Sequence, residues 1–233
     1  RELASIEQLA AFLREGDDDT VATFLHFRAD HPSALATSIA AIVSDERRPT
    51  RVRDAALGVV ARIDSGVAAR VSEALVLSAS AEVRRGAIRP SLLTTATLLA
   101  LLEDGDAEVR SRVVDTLVER GHRAAVGPLV RRLETDGTDR RAIFALGRLR
   151  AREAVPALIA IAKRSDRDDR HDSWFSAVEA LGEIGDPSAR GVLRDLLNSS
   201  IRTENLGAIY ASATALALLG EEDVVPWLRH AIR

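Results

Sequence analysis

A chain of 233 residues that is 46% hydrophobic and 29% charged holds enough apolar material to fold, far from the low-hydrophobicity, high-charge composition of disorder. Its formal charge of −3, from 35 acids against 32 lysines and arginines, offers no global field for nucleic acid. With no cysteine it has no disulfides, thiolate catalysis or cysteine-held metal, which fits a reducing compartment and a cytoplasmic protein.

Only 3% of residues are aromatic, so cores must be built from Ala, Leu, Val and Ile, which suits thin helical layers better than a thick sheet core. Apolar runs such as Leu98 to Leu102 are far short of the roughly 20 residues that span a bilayer, and no signal-peptide pattern opens the chain. Beginning at Arg1 and lacking methionine, the sequence reads as a piece of a longer protein whose other parts could carry chemistry. Residues 1 to 50 hold nine acids and five bases, and Lys163 is the only lysine.

In chain order, residues 1–17 read as a cap holding one helix over 3 to 15, followed by a helix pair over 18–44. Pairs over 49–79, 81–103 and 106–135 each open on a polar residue, a gap and Val-Arg: Thr50-Arg51-Val52-Arg53, Ser80-Ala81-Glu82-Val83-Arg84 and Asp106-Ala107-Glu108-Val109-Arg110. Asp106 is a natural helix N-cap, as are Thr138 and Asp186. Recurrence of Arg53, Arg84 and Arg110 at repeat spacing predicts a structural role for them, in linking neighbouring units.

From 106 onward the repetition is explicit. Leucines 117, 146, 181 and 216 sit in small-Leu-rich stretches at spacings of 29, 35 and 35, and glycines 121, 185 and 220 suit left-handed helix ends. A second landmark of Pro128, Pro156, Gly191 and Pro226 keeps nearly the same register, at 28, 35 and 35. These landmarks place the remaining pairs over 138–164, 172–199 and 204–233, with longer loops at Ser165 to His171 and Ser199 to Thr203 stretching the period.

Residues 142–161, AIFALGRLRAREAVPALIAI, and 176–197, SAVEALGEIGDPSARGVLRDLL, resemble the HEAT-like repeat associated with phycobilin lyases, roughly D-x-x-V-R-x-x-A-x-x-A-L-G-x-x-G-D-x-x-A-V-P-x-L-x-x-x-L. The resemblance is clearest over 106–233 and fainter over 49–105. It implies an all-α, α-α superhelical solenoid of about seven helix pairs plus the N-terminal cap helix, forming one domain over 1–233. In such repeats the second helix of each pair is expected to line the concave face.

Outward positions three, four and seven beyond each proline-equivalent then include Arg131, Arg132, Lys163, Arg194, Arg229, His230 and Arg233, six certain cations against the single acid Asp195 among twelve positions. One reading is an anion-binding groove; the other is arginines that solvate the surface or pair with acids. Trp174 and Tyr210, in an aromatic-poor chain, are either partner anchors or space-fillers between helices.

The run Ser165 to Asp172 fails as a calcium loop, having Arg170, His171 and Ala177 where a ligand, glycine and glutamate are needed. His26, His31, His122 and His230 stand singly, without zinc or triad spacing, and no glycine-rich phosphate loop occurs. No catalytic constellation and no cofactor are therefore expected.

The expected function is a non-catalytic scaffold that holds a protein or peptide partner, with an acidic segment on the concave face of repeats 4 to 7. The resemblance also implies two alternatives: a chromophore-handling, lyase-like subunit, and nucleic-acid binding through the basic ridge as in HEAT-like DNA glycosylases. The slightly acidic composition disfavours the latter.

Overall fold

The computed structural model describes residues 6–27, 33–135, 137, 139–163 and 171–231, with the side chains of residues 171, 172 and 229–231 outside that description. All regular elements among the described residues are helical. Among the described residues fifteen α-helices pack in neighbouring pairs, the architecture of a HEAT-like helical repeat. The chain divides into two compact units, residues 1–116 and 117–233.

The first unit holds α1 (Ile6–Glu15), α2 (Asp18–Phe27), α3 (Ala36–Ser44), α4 (Thr50–Ile63), α5 (Ser65–Leu75), α6 (Ala81–Ala87), α7 (Thr95–Leu101) and most of α8 (Ala107–Glu119). Leu13, Val21, Leu25, Leu35, Ile39, Val52, Ala56 and Val60 form its apolar core, buried between α1, α2, α3 and α4. Arg48 closes the end of α1, donating to the carbonyls of Leu13, Arg14 and Gly16 at 2.9–3.2 Å and to Asp18 at 3.0 Å. One guanidinium thus satisfies carbonyls that the helix leaves without partners.

The Val-Arg arginines do structural work of the same kind. Arg53 donates to the Val43 carbonyl at 2.9 Å, and Arg84 to the carbonyls of Ser78 and Ala79 and, in a two-pronged pair at 2.7 and 2.8 Å, to the Asp104 carboxylate. Arg110, one repeat further on, donates to the Asp104 carbonyl, so Asp104 joins two repeats. Its caps also follow the sequence: Asp106 accepts from the Glu108 and Val109 amides, Ser80 from Val83 and Asp64 from Val67.

The second unit contains the end of α8, then α9 (Val126–Thr135), α10 (Arg140–Arg148), α11 (Val155–Lys163), α12 (His171–Ile184), α13 (Arg190–Arg202), α14 (Leu206–Leu218) and α15 (Val225–Ala231). Short 3-10 turns at Arg123–Ala125, Arg152–Ala154, Pro187–Ala189 and Glu222–Val224 precede the second helices. Pro128, Pro156 and Pro226 fall in the first turns, where a missing N–H breaks no helical bond. The landmark leucines are buried, and the Leu117, Leu146 and Leu216 carbonyls accept from the amides of His122, Ala151 and Glu221 at 3.0, 3.0 and 3.1 Å, closing each helix in a Schellman turn.

Two details differ from the sequence reading. Ser199 to Arg202 are not a loop, because α13 continues through Arg202 and the extra residues lengthen that helix. The cap of α10 is Asp139, which accepts from the Ala142 amide at 3.0 Å; Thr138 lies outside the described residues, as do residues 165–170 of the other expected loop.

Successive first helices of this unit nearly touch. A Cβ built on Gly147 would stand 3.1 Å from the Ala180 Cα, and one on Gly182 only 2.8 Å from the Ala215 Cα, so α10, α12 and α14 lie backbone to backbone along the Ala-Leu-Gly stretches. Gly58 in α4 has open space instead. Gly58→Ala should therefore raise stability by about 0.5–1 kcal/mol through reduced chain entropy. Gly182→Ala, despite the better helix former, should lower it by about 1–3 kcal/mol because a neighbouring backbone must move. Urea unfolding of both variants checks the opposite signs.

The Arg84 hydrogen bonds hold the Asp104 carboxyl below the ordinary aspartate value of 3.8, so the pair's contribution is present above that pH and disappears as the pH falls through the depressed value. Asp104→Asn should lower the melting temperature at pH 7 by several degrees and flatten its fall below about pH 4. Thermal melts from pH 2 to 8 measure both.

Candidate functional site

The expected basic ridge is partly consumed within the chain. Arg132 pairs with Asp139, the N-cap of the next helix, at 2.7 Å. Arg194 pairs with Glu221 and Asp223, both at 2.7 Å, and Arg190 also meets Glu221 at 2.7 Å. The Arg194 hydrogen bonds lower the Asp223 carboxyl below its usual range and raise the guanidinium's own value. Arg131, in the middle of α9, and Lys163, at the end of α11, are exposed, whereas the side chains of Arg229 and His230 on α15, and all of Arg233, lie outside the described residues.

The two singled-out aromatics part ways. Trp174 is 8% exposed, packed edge-on against Phe175 with ring centroids 4.8 Å apart, so it fills space between helices. Tyr210 stands 49% exposed in the middle of α14.

Tyr210 belongs to a surface that the expectation about second helices overlooks. Second helices α9, α11 and α13 dock on the first helices α10, α12 and α14 of the following repeats but touch one another only sparingly, whereas the first helices are packed tightly side by side. The first-helix layer is therefore the more closely packed of the two in this unit. On α10 its outward stripe is Arg140, Arg141, Phe144 and Arg148, with Ala142, Ile143, Ala145, Leu146 and Gly147 all buried behind it. The 35-residue register carries the same stripe to Phe175, Ser176, Glu179 and Glu183 on α12, and to Tyr210, Ala211, Thr214 and Leu218 on α14. Phe144 is 53% exposed, and Phe175 reaches over Gly207 of the next helix, where a Cβ would stand 3.3 Å from its ring.

Glu183 leans across from α12, its carboxylate 2.8 Å from where a Cβ on Gly147 would be. Burial raises its pKa above the ordinary glutamate value and the Glu179 charge adds to that, while Arg148 and Arg150 pull the other way. Arg150 itself has φ +48, in the left-handed position that Gly121, Gly185 and Gly220 occupy in the sister repeats with φ of +63, +69 and +88. The sequence signal for this residue is the one repeat whose closing glycine is replaced; Phe144 and Arg148 show only as the unburied i, i+4 line of an otherwise apolar helix.

Among the described residues no three His, Asp or Glu side chains gather as a metal-holding group, and no helix is long and apolar enough to cross a membrane. A family model for HEAT repeats matches residues 95–174 and 136–204, which supports a HEAT-like repeat protein and falls on the stretch where the landmarks are clearest. No curated protein gives a significant match to this chain.

Because a side chain in the left-handed region costs about 1 kcal/mol that glycine avoids, Arg150→Gly should stabilise the protein by about that amount. Denaturant midpoints of the variant and the parent test this; a lower midpoint would mean that the Arg150 side chain holds the fold.

Proposed function

We propose that this chain is a non-catalytic scaffold that holds a protein or peptide partner with an acidic segment, on the layer formed by α10, α12 and α14. The carrying observation is that two half-exposed aromatics, Phe144 and Tyr210, share the first-helix layer with the exposed cations Arg148 and Arg150. Exposed aromatics in the middle of helices cost solvation when alone and serve as rigid anchors when covered. Arginine beside them adds bidentate recognition of carboxylates. HEAT repeats mediate protein interactions in general, which agrees with this use of the surface. Among the second-helix cations expected from the sequence, Arg132 and Arg194 already have carboxylates of their own, while Arg131 and Lys163 are exposed.

The two surfaces separate experimentally. Binding of a co-purified partner is measured for the parent chain, for Phe144→Ala with Tyr210→Ala, and for Arg131→Glu with Lys163→Glu. Loss of about tenfold or more is expected for the aromatic pair and little change for the cations. The reverse ranking would move the binding surface to the second helices, and tight duplex-DNA binding that falls steeply with salt would replace the protein reading.

A further inference from the structure

The first-helix layer contains a cleft of about 480 Å³, inside the range of ligand-holding pockets, where the C-terminal ends of α10 and α12 come together. Arg148, Arg150 and Arg152 line it with Glu183, and Ile184 and Leu218 supply apolar wall. The glycines at 147, 182 and 185 line it as well.

The cations of this cleft differ from the paired arginines elsewhere in the unit. Arg123, Arg190 and Arg194 each reach a carboxylate at 2.7–3.1 Å. Neither Arg148 nor Arg150 has a carboxylate within ion-pair distance among the described residues, and Arg152 only approaches Asp186 at 3.8 Å. Glu183 is the nearby anion whose field both feel, and it lies against Gly147. With Asp186 set against Arg152, the two cations Arg148 and Arg150 face Glu183 and leave the cleft positive within a slightly acidic chain.

Backbone geometry points the same way. At the left-handed end of α10 a glycine would be the relaxed choice, as at residues 121, 185 and 220, yet this repeat carries arginine there. Strain kept at one repeat and relieved at its sisters marks a side chain retained for what it touches. The Arg150 amide closes the helix on the Gly147 carbonyl at 2.8 Å, but its side chain makes no hydrogen bond or ion pair to a described residue, so the fold accounts for the turn and not for the guanidinium.

We infer that this cleft binds the side-chain carboxylates of an acidic peptide, with Arg148 and Arg150 as the charged contacts and Leu218 and Ile184 receiving an apolar side chain of the same segment. The inference rests on the reading that an acidic partner is held on this layer, and it names where the acid goes. Guanidinium forks meet carboxylates two oxygens at a time, and the neighbouring apolar wall makes the contact drier and stronger than at an open surface. A segment alternating acidic and apolar residues matches both halves of the cleft.

Fluorescence anisotropy with a labelled octapeptide alternating glutamate and leucine provides the test, against the same peptide with glutamine for glutamate. The parent chain should bind the glutamate peptide and discriminate against the glutamine peptide by about tenfold or more. Arg148→Ala and Arg150→Gly should each weaken glutamate-peptide binding by a similar factor, while Glu183→Gln, which removes the competing carboxylate, should tighten it. Glu204→Gly supplies the control: it removes the other non-glycine residue of positive φ, at the end of α13, and leaves binding unchanged. Equal binding of the two peptides, no binding at millimolar peptide, or full displacement by equimolar inorganic phosphate would overturn the inference. If partner capture depends on Phe144 and Tyr210 but ignores both arginine variants, the cleft assignment fails while the scaffold reading stands. If capture ignores the aromatics as well, both fail.

Discussion

Backbone contact between successive first helices is the constraint from which the rest of the second unit follows. Gly147 against Ala180 and Gly182 against Ala215 bring α10, α12 and α14 backbone to backbone, and even a Cβ at either glycine would crowd the next helix. Small residues at one side of a helix force the larger ones to the other side. Leu146, Leu181 and Leu216 therefore turn into the core, toward the second helices, while the leftover stripe faces solvent. The tight first-helix layer and the exposed stripe upon it follow from one repeated pair of small residues.

Arginine does two jobs in this chain, and the difference between them is local. At the ends of helices it replaces water as the donor to free carbonyls, as Arg48, Arg53 and Arg110 do, or fastens one repeat to the next, as Arg84, Arg123 and Arg194 do. Such pairs contribute modestly one by one, since most stand partly in water. The ion pairs of Arg84, Arg123 and Arg194 also act on register: they join residues 20, 30 and 29 positions apart and so fix which turn of one repeat meets which turn of the next. A positive charge engaged in this way is unavailable to a ligand.

That distinction explains how far the sequence could be read. Helical class, paired helices and most helix ends were legible, because the Leu, Gly and Pro landmarks are imposed by local geometry: a buried carbonyl to close, a left-handed residue, a first turn without a donor. Which layer packs tighter was not legible from those landmarks. It depends on glycine and alanine meeting across 33 residues, as between 147 and 180 or 182 and 215, and periodicity within one helix does not reveal it. Counting cations at outward positions found Arg132 and Arg194 but not their acids, because Asp139, Glu221 and Asp223 belong to the next helix or turn. Arg150 was the opposite case: laying the four closing residues in register exposes the substitution of glycine, and only the backbone angle shows its cost.

A repeat protein specialises by breaking its own consensus, and the departures here are concentrated. Neighbour-on-neighbour packing demands the same small residues, leucines and helix ends in every unit, so those positions cannot carry information about a partner. What remains free is the outward stripe and the closing turn. Within three consecutive repeats the stripe passes from Arg and Phe on α10, through Phe and Glu on α12, to Tyr and Leu on α14, while a closing turn trades glycine for arginine beside it. Departures at positions that packing leaves open, on a layer that packing holds tightly, cost the stack little and are free to differ from repeat to repeat.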